Sequence, residues 1–228
     1  MKAYLFLGLS FMAFASYSQE IMPQLHFEIL FNGQPLDLNK NYYNHTHKDS
    51  IKVSVLKFYI SDLIVGFKQK NKASQHVSIQ QLVNIDDPQS MIVRDISLGI
   101  ENIKTISFTL GLDSTINVSG ALGGDLDPTQ GMYWSWQSGY INFKLEGTSG
   151  NCTNRNKYFQ FHLGGYQYPF DAHTGVELTP KGKETGAIQL DLYEFFNKTN
   201  LSKENGIMSP SKAALSKSQI LSKSFSLH

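Results

Sequence analysis

The stretch Tyr133-Trp134-Ser135-Trp136-Gln137-Ser138-Gly139-Tyr140-Ile141-Asn142-Phe143-Lys144-Leu145 carries both tryptophans of the chain, one residue apart. Its alternating second half reads as a strand running from Tyr133 to Leu145. Side chains alternate between the faces of a strand, which aims Trp134 and Trp136 the same way, with Met132 and Ser138 beside them. Two indoles on one face make a packed core, an electron-rich redox site or the wall of a pocket for a soft metal ion.

Working outward, the same period of two recurs in short segments separated by Gly, Asn, Asp and Pro. Leu25 to Phe31 is the first, closed by Asn32-Gly33, a pair that accepts positive φ and turns a hairpin. Further strands are expected at Lys52 to Ile60, Asp62 to Lys68, His76 to Asn84, Met91 to Ile96, Lys104 to Leu110, Lys157 to Leu163, Val176 to Leu178 and Ala187 to Leu192. Many short strands without a long central helix predict an all-β fold, an antiparallel β-sandwich. Gly111 to Pro128 is rich in turn formers and predicts a long ordered loop. Ser209 as N-cap and Pro210 at the first helical position predict a short C-terminal helix over Ala213 to Phe225. The spaced Lys203, Lys212, Lys217 and Lys223 suit a solvated helix face.

The first residues have the form of an export signal: Lys2, an apolar run from about Ala3 to Ala15, and small residues at Ser16 and Ser18. That predicts a signal peptide over residues 1–18 and a single mature domain over residues 19–228. The apolar run is short for a membrane span and no later run approaches one, so the expected location is periplasmic or secreted. Cys152 is the lone cysteine, which excludes an intrachain disulfide and leaves stability to the core. A net charge of +1 with 17% charged residues supplies no basic field, so nucleic acid is not an expected partner.

The histidines of the mature chain are His26, His45, His47, His76, His162, His173 and His228. His45 and His47 sit in a polar loop context, and His26 alternates with Leu25 and Phe27 in the first strand. His162 stands apart, because it lies between Phe161 and Leu163 and a glycine pair follows that lets another segment approach. Imidazole is a usual donor for copper(I). Asp113, Asp125, Asp127 and Glu146 offer carboxylates without the spacing of a calcium loop or of a positioned acid and base. No nucleophile elbow, zinc-protease helix or phosphate loop is present, and the chain is read as a non-enzyme. Cys152 lacks a CxxC partner. The tryptophan pair keeps a competing reading, a carbohydrate-binding or surface adhesion sandwich on which sugar rings stack.

Taken together, Leu56-Lys57-Phe58-Tyr59-Ile60-Ser61-Asp62-Leu63, Phe108 to Asp113, Asn117 to Ala121 with Leu126-Asp127-Pro128, Gly131 to Gly147, and Phe161-His162-Leu163-Gly164-Gly165 resemble the MbnP-like family of periplasmic copper-binding proteins, related to the CorA and MopE copper proteins. The resemblance spans the whole mature chain. It implies a β-rich exported protein that binds copper, with Cu(I) favoured, for copper acquisition, storage or handling. It further implies that Trp134 or Trp136 is oxidised to kynurenine by a di-haem peroxidase-like partner enzyme. His162 is the implied copper ligand. The second histidine is His228, on the likeness of Phe225-Ser226-Leu227-His228 to the family's ending, or His26.

Overall fold

A computed structural model of the protein describes residues 24–69, 72–94, 96, 102–136, 139–182 and 186–228. The expected signal peptide lies outside the described residues. The first strand, β1 (His26–Phe31), turns through Asn32 and Gly33, both at positive φ, into the short β2 (Gln34–Pro35). Leu30 faces Pro35 and Phe31 faces Gln34, which is the two-residue hairpin that Asn-Gly favours. The Asp191 carboxylate accepts from the N–H groups of both turn residues and fixes it.

β3 (Asn41–Asn44) leads into β4 (Asp49–Phe67), which replaces the two strands expected at Lys52 to Ile60 and Asp62 to Lys68. Asp62, at φ 51°, forms a bulge where the register slips by one residue against the next strand. Phe58 and Ile60 before it, and Leu63, Val65 and Phe67 after it, therefore all face the core. The change of phase explains why the sequence reads as two segments. β4 is the spine of the larger sheet. It pairs with β3, β5 (Gln75–Asn84), β6 (Ile103–Leu110) and, across the chain, β8 (Gly139–Ser149). β9 (Tyr158–Gly164), β10 (Thr174–Leu178) and the short β7 (Tyr133–Trp134) and β12 (Gly206–Ile207) complete nine strands. The other sheet has four, in the order β13 (Phe225–Leu227), β11 (Ala187–Asp191), β1, β2.

The two sheets face each other across aromatic side chains. Phe27 of the smaller sheet meets Phe58 and Phe108 of the larger, and Phe225 meets the same pair, with ring centroids 5.4 to 6.1 Å apart. Each such fully buried ring contributes roughly 1.5–3 kcal/mol of transfer free energy. The sandwich is thus as expected, with one correction: it is mixed, since β1 pairs with β11, and β12 with β9, in parallel.

Met91 to Ile96 forms only an isolated bridge at Ile92, against His26, with residue 95 outside the described residues. The C-terminal helix α3 (Lys212–Ser222), which follows α1 (Ser114–Val118) and α2 (Tyr193–Asn197), is capped by Ser211 rather than Ser209. It stops short of Phe225, which enters β13 and the core. Lys217 is not on a solvated face; it is buried and pairs with Glu204 at 2.7 Å. No helix among the described residues is long and apolar enough to cross a membrane.

Candidate functional site

One face of the larger sheet closes on the aromatic core. The opposite face is covered by the loop after β6, which holds α1 and two 3-10 turns, Gly124–Leu126 and Pro128–Gln130. Polar tips rising from the sheet clamp this loop. The Tyr140 hydroxyl accepts from Leu122 N–H and faces the carbonyls of Gly120 and Leu126, at 2.9 to 3.1 Å. The Tyr59 hydroxyl donates to Asp125 O, and Asn142 Oδ1 accepts from Leu112 N–H. Burial pushes both phenols to higher pKa, so each stays a protonated donor. Lys57 and Lys144 donate to the carbonyls of Gln130 and Gly131 at the end of the second turn.

The three aspartates weighed as chemical groups serve this loop. Asp113 caps α1 through Ile116 N–H. Asp125 accepts from Leu82 N–H and pairs with Arg94, and Asp127 caps the second turn through Thr129, whose hydrogen bonds hold its carboxyl below the usual range.

The chain then enters β7. Trp134 pairs with Gly139 and Tyr133 with Tyr140, so β7 and β8 are two antiparallel partners instead of the continuous strand expected from Tyr133 to Leu145. The indoles still meet, with centroids 5.7 Å apart at 43°. Their environments differ: Trp134 is 5% exposed and Trp136 is 65% exposed. Trp134 is pressed onto β9 at Gly164, where a Cβ would lie 2.8 Å from its Cζ3 and 2.6 Å from Tyr140 O. The glycine is required by this approach. The Trp134 Nε1 is buried without a hydrogen-bond partner among the described residues, which is uncommon for an indole N–H.

His162 is two residues from Gly164 along β9 and therefore projects from the same face, its Cα about 6.6 Å away at ordinary strand rise. It pairs with Lys144 across the sheet and is 6% exposed. Its Nε2 lies 2.5 Å from Glu146 Oε1, and Lys144 Nζ lies 3.5 Å from the same oxygen. Burial holds the imidazole below its ordinary pKa, against the opposing pull of Glu146, so the ring is neutral near pH 7. Glu146 also lines a groove of about 260 Å³ with Ser54, Tyr158 and Gln160.

The other two expected ligands lie elsewhere. His26 and His228 both pair with Ala187, His26 through the β1–β11 register and His228 through two backbone hydrogen bonds of 2.9 Å. Phe27, Ile188 and Leu227, their chain neighbours, face the core, which places both histidines on the outer face of the smaller sheet. His26 is already hydrogen-bonded to Gln24 O and Glu28. His162 is on the outer face of the opposite sheet. Sheets pack about 10 Å apart and these side chains point away from one another, so no ion with bonds of about 2 Å reaches both sets. Of the residues expected at the site, Trp134 and Trp136 touch each other and Trp134 meets β9 two residues from His162, whereas His26 and His228 lie on the other sheet. Sequence reasoning missed Glu146 as the partner of His162. Cys152, the lone thiol, is fully buried and pushed to higher pKa by that burial.

Residues 20–209 match the family model described as MbnP. The chain belongs to the MbnP family. Among solved structures, MbnP from Methylosinus trichosporium shares the fold with a TM-score of 0.50, at 13% identity, over 84% of this chain and 85% of that one. At such identity the likeness is one of architecture. No curated protein matches the chain. Strands β1 to β12 lie within the MbnP match, and α3 and β13 follow it.

Replacing Gly164 with alanine is expected to drive Trp134 off β9. Overpacking of this kind costs about 1–3 kcal/mol, and the displaced indole gains water. Urea denaturation should show the loss of stability, and a red shift of tryptophan emission in the folded variant should show the new exposure. An unshifted spectrum would mean that the indole does not rest on Gly164.

Proposed function

We propose that this MbnP-family chain is an exported copper-binding protein that takes Cu(I) at His162, beside Trp134. It acts in copper acquisition, storage or handling and carries no catalysis of its own. The observation that carries the reading is the shared outer face: a buried, neutral imidazole held by Glu146 stands two residues from the glycine that seats a buried, unpartnered indole. Imidazole suits copper among several metals, and Cu(I) favours soft and borderline donors in small numbers. Among the described residues no group of three or more His, Cys, Asp and Glu side chains gathers around one point. A closed four-ligand zinc site is therefore not what these residues make. A one-imidazole pocket with an aromatic wall fits a cation content with few protein donors.

The second donor follows from the indole. Oxidation of Trp134 to kynurenine would put an aromatic amine where the unpartnered N–H now lies and a ketone at the former indole C3, turning a group that ligates nothing into one that can. A di-haem peroxidase-like partner enzyme is the proposed catalyst and peroxide the oxidant: two molecules of peroxide cleave the indole C2–C3 bond, each giving one oxygen to the carbons and one to water, and hydrolysis then releases C2 as formate and frees the amine. Trp136, exposed and in contact with Trp134, is the other candidate for modification. The glycan-platform reading loses ground at this point, because only Trp136 of the pair presents its ring to solvent.

Copper retention against a competing Cu(I) chelator tests the assignment. Wild-type protein and the double variant His26→Ala/His228→Ala should hold Cu(I) alike, and His162→Ala should release it. Equal retention by His162→Ala would remove the imidazole from the site. Protein isolated from its native host should also differ in intact mass from the sequence, and an unshifted mass there would reject the kynurenine.

A further inference from the structure

The geometry points to Glu146 as a positioning residue that fixes the tautomer of His162: the proton sits on Nε2, donated to Glu146, and Nδ1 is left as the nitrogen open to a soft cation. The use of Nδ1 rests on the copper reading above; the tautomer does not.

Three observations converge on this assignment. Nε2 and Glu146 Oε1 are 2.5 Å apart, so one proton lies between them and one of the two groups must donate it. Lys144 Nζ stands 3.5 Å from that same oxygen, with only 19% of its side chain exposed, so the oxygen is faced by a second group that can only donate. An ionised carboxylate only accepts, which assigns the hydrogen to the imidazole. Nδ1 has no acceptor among the described residues, so no partner holds a second proton on the ring. Nδ1 is then a bare lone pair. It makes no hydrogen bond to any described residue, and unlike Trp134 Nε1 it is not one of the sealed, unpartnered nitrogens.

The arrangement is held from both sides. Lys144 is itself tied to Gly131 O at 3.1 Å, at the exit of the loop that leads to Trp134. The cross-strand register sets Lys144 directly opposite His162, with Glu146 one step along the same face of β8. Loop exit, lysine, carboxylate and imidazole thus form one connected chain. A carboxylate on the far nitrogen is the usual means of orienting a ligating histidine and raising its basicity. Here it also dictates which nitrogen is free, and a donor at Nδ1 lies closer to the sheet than one at Nε2 would.

The test is nuclear magnetic resonance of the metal-free, isotope-labelled mature chain at neutral pH, with the His162 ring assigned by comparison with His162→Gln. The expected spectrum shows a protonated Nε2 and an unprotonated Nδ1. Glu146→Gln should keep that tautomer, because the amide oxygen still accepts. Glu146→Ala should give a mixture of the two, in a protein whose dispersed backbone spectrum reports an intact fold. A protonated Nδ1 in the wild type overturns the assignment, and so does an unaltered tautomer in Glu146→Ala. Cu(I) titration adds the second readout: Glu146→Ala should bind about 10–100-fold more weakly than wild type, with Glu146→Gln between them. Equal affinity in Glu146→Ala overturns the positioning role for the metal. Failure of the wild type to hold Cu(I) overturns the copper reading alone, since the tautomer is measured without metal.

Discussion

Where β9 passes beneath the hairpin of β7 and β8, the indole of Trp134 rests on a backbone that has no Cβ. A methyl group at Gly164 would sit 2.8 Å from the ring, well inside contact distance, so the seat exists only as glycine. From this one approach the rest of the site follows. The indole shields the outer face of the sheet at Gly164, two residues along β9 from His162. The Tyr140 carbonyl, which closes the other side of the same glycine, belongs to the strand that supplies Lys144 and Glu146. Aromatic wall, imidazole and carboxylate are thereby fixed by neighbouring positions on two paired strands, which is more rigid support than a loop would give.

The covering loop makes that face dry enough to matter. Tyr59, Tyr140 and Asn142 reach up from the sheet and satisfy the loop's backbone groups, while Leu112, Leu126 and Met132 fill the space below. Among the described residues, the buried side-chain polar atoms of this layer that lack a partner are Trp134 Nε1 and Asn142 Nδ2. An unpaired buried N–H costs about 1–3 kcal/mol. Such a cost in an otherwise satisfied layer marks the place where the chain's stability has been set against something else, and the proposed conversion of this ring into a ligand supplies a reason.

Much of the frame was readable from local residues. Asn32-Gly33 demanded its turn, the Gly- and Asp-rich run after Leu110 demanded an ordered loop, and Phe161-His162-Leu163 set His162 opposite to the core by simple alternation. What escaped the reading depends on pairing between distant strands. The bulge at Asp62 joins two apparent strands into one because β5 and β6 hold both halves. Phe225 leaves the helix for β13 because β11 offers it an edge. His26 and His228 were ligands only as the family resemblance implied, yet their shared neighbour Ala187 is on the smaller sheet, and no local pattern says which sheet a strand will join. Glu146 was visible as a carboxylate two positions from Lys144, on one face of its strand. Its bond to His162 needed the β8–β9 register.

The central claim is that the metal site lies on the outer face of the larger sheet, between His162 and Trp134. An anomalous difference map from a crystal loaded with Cu(I) tests it most directly. The account predicts a copper peak bonded to an imidazole nitrogen of His162 and flanked by the ring at position 134. A peak on the smaller sheet beside His26 and His228, with none at His162, would contradict it.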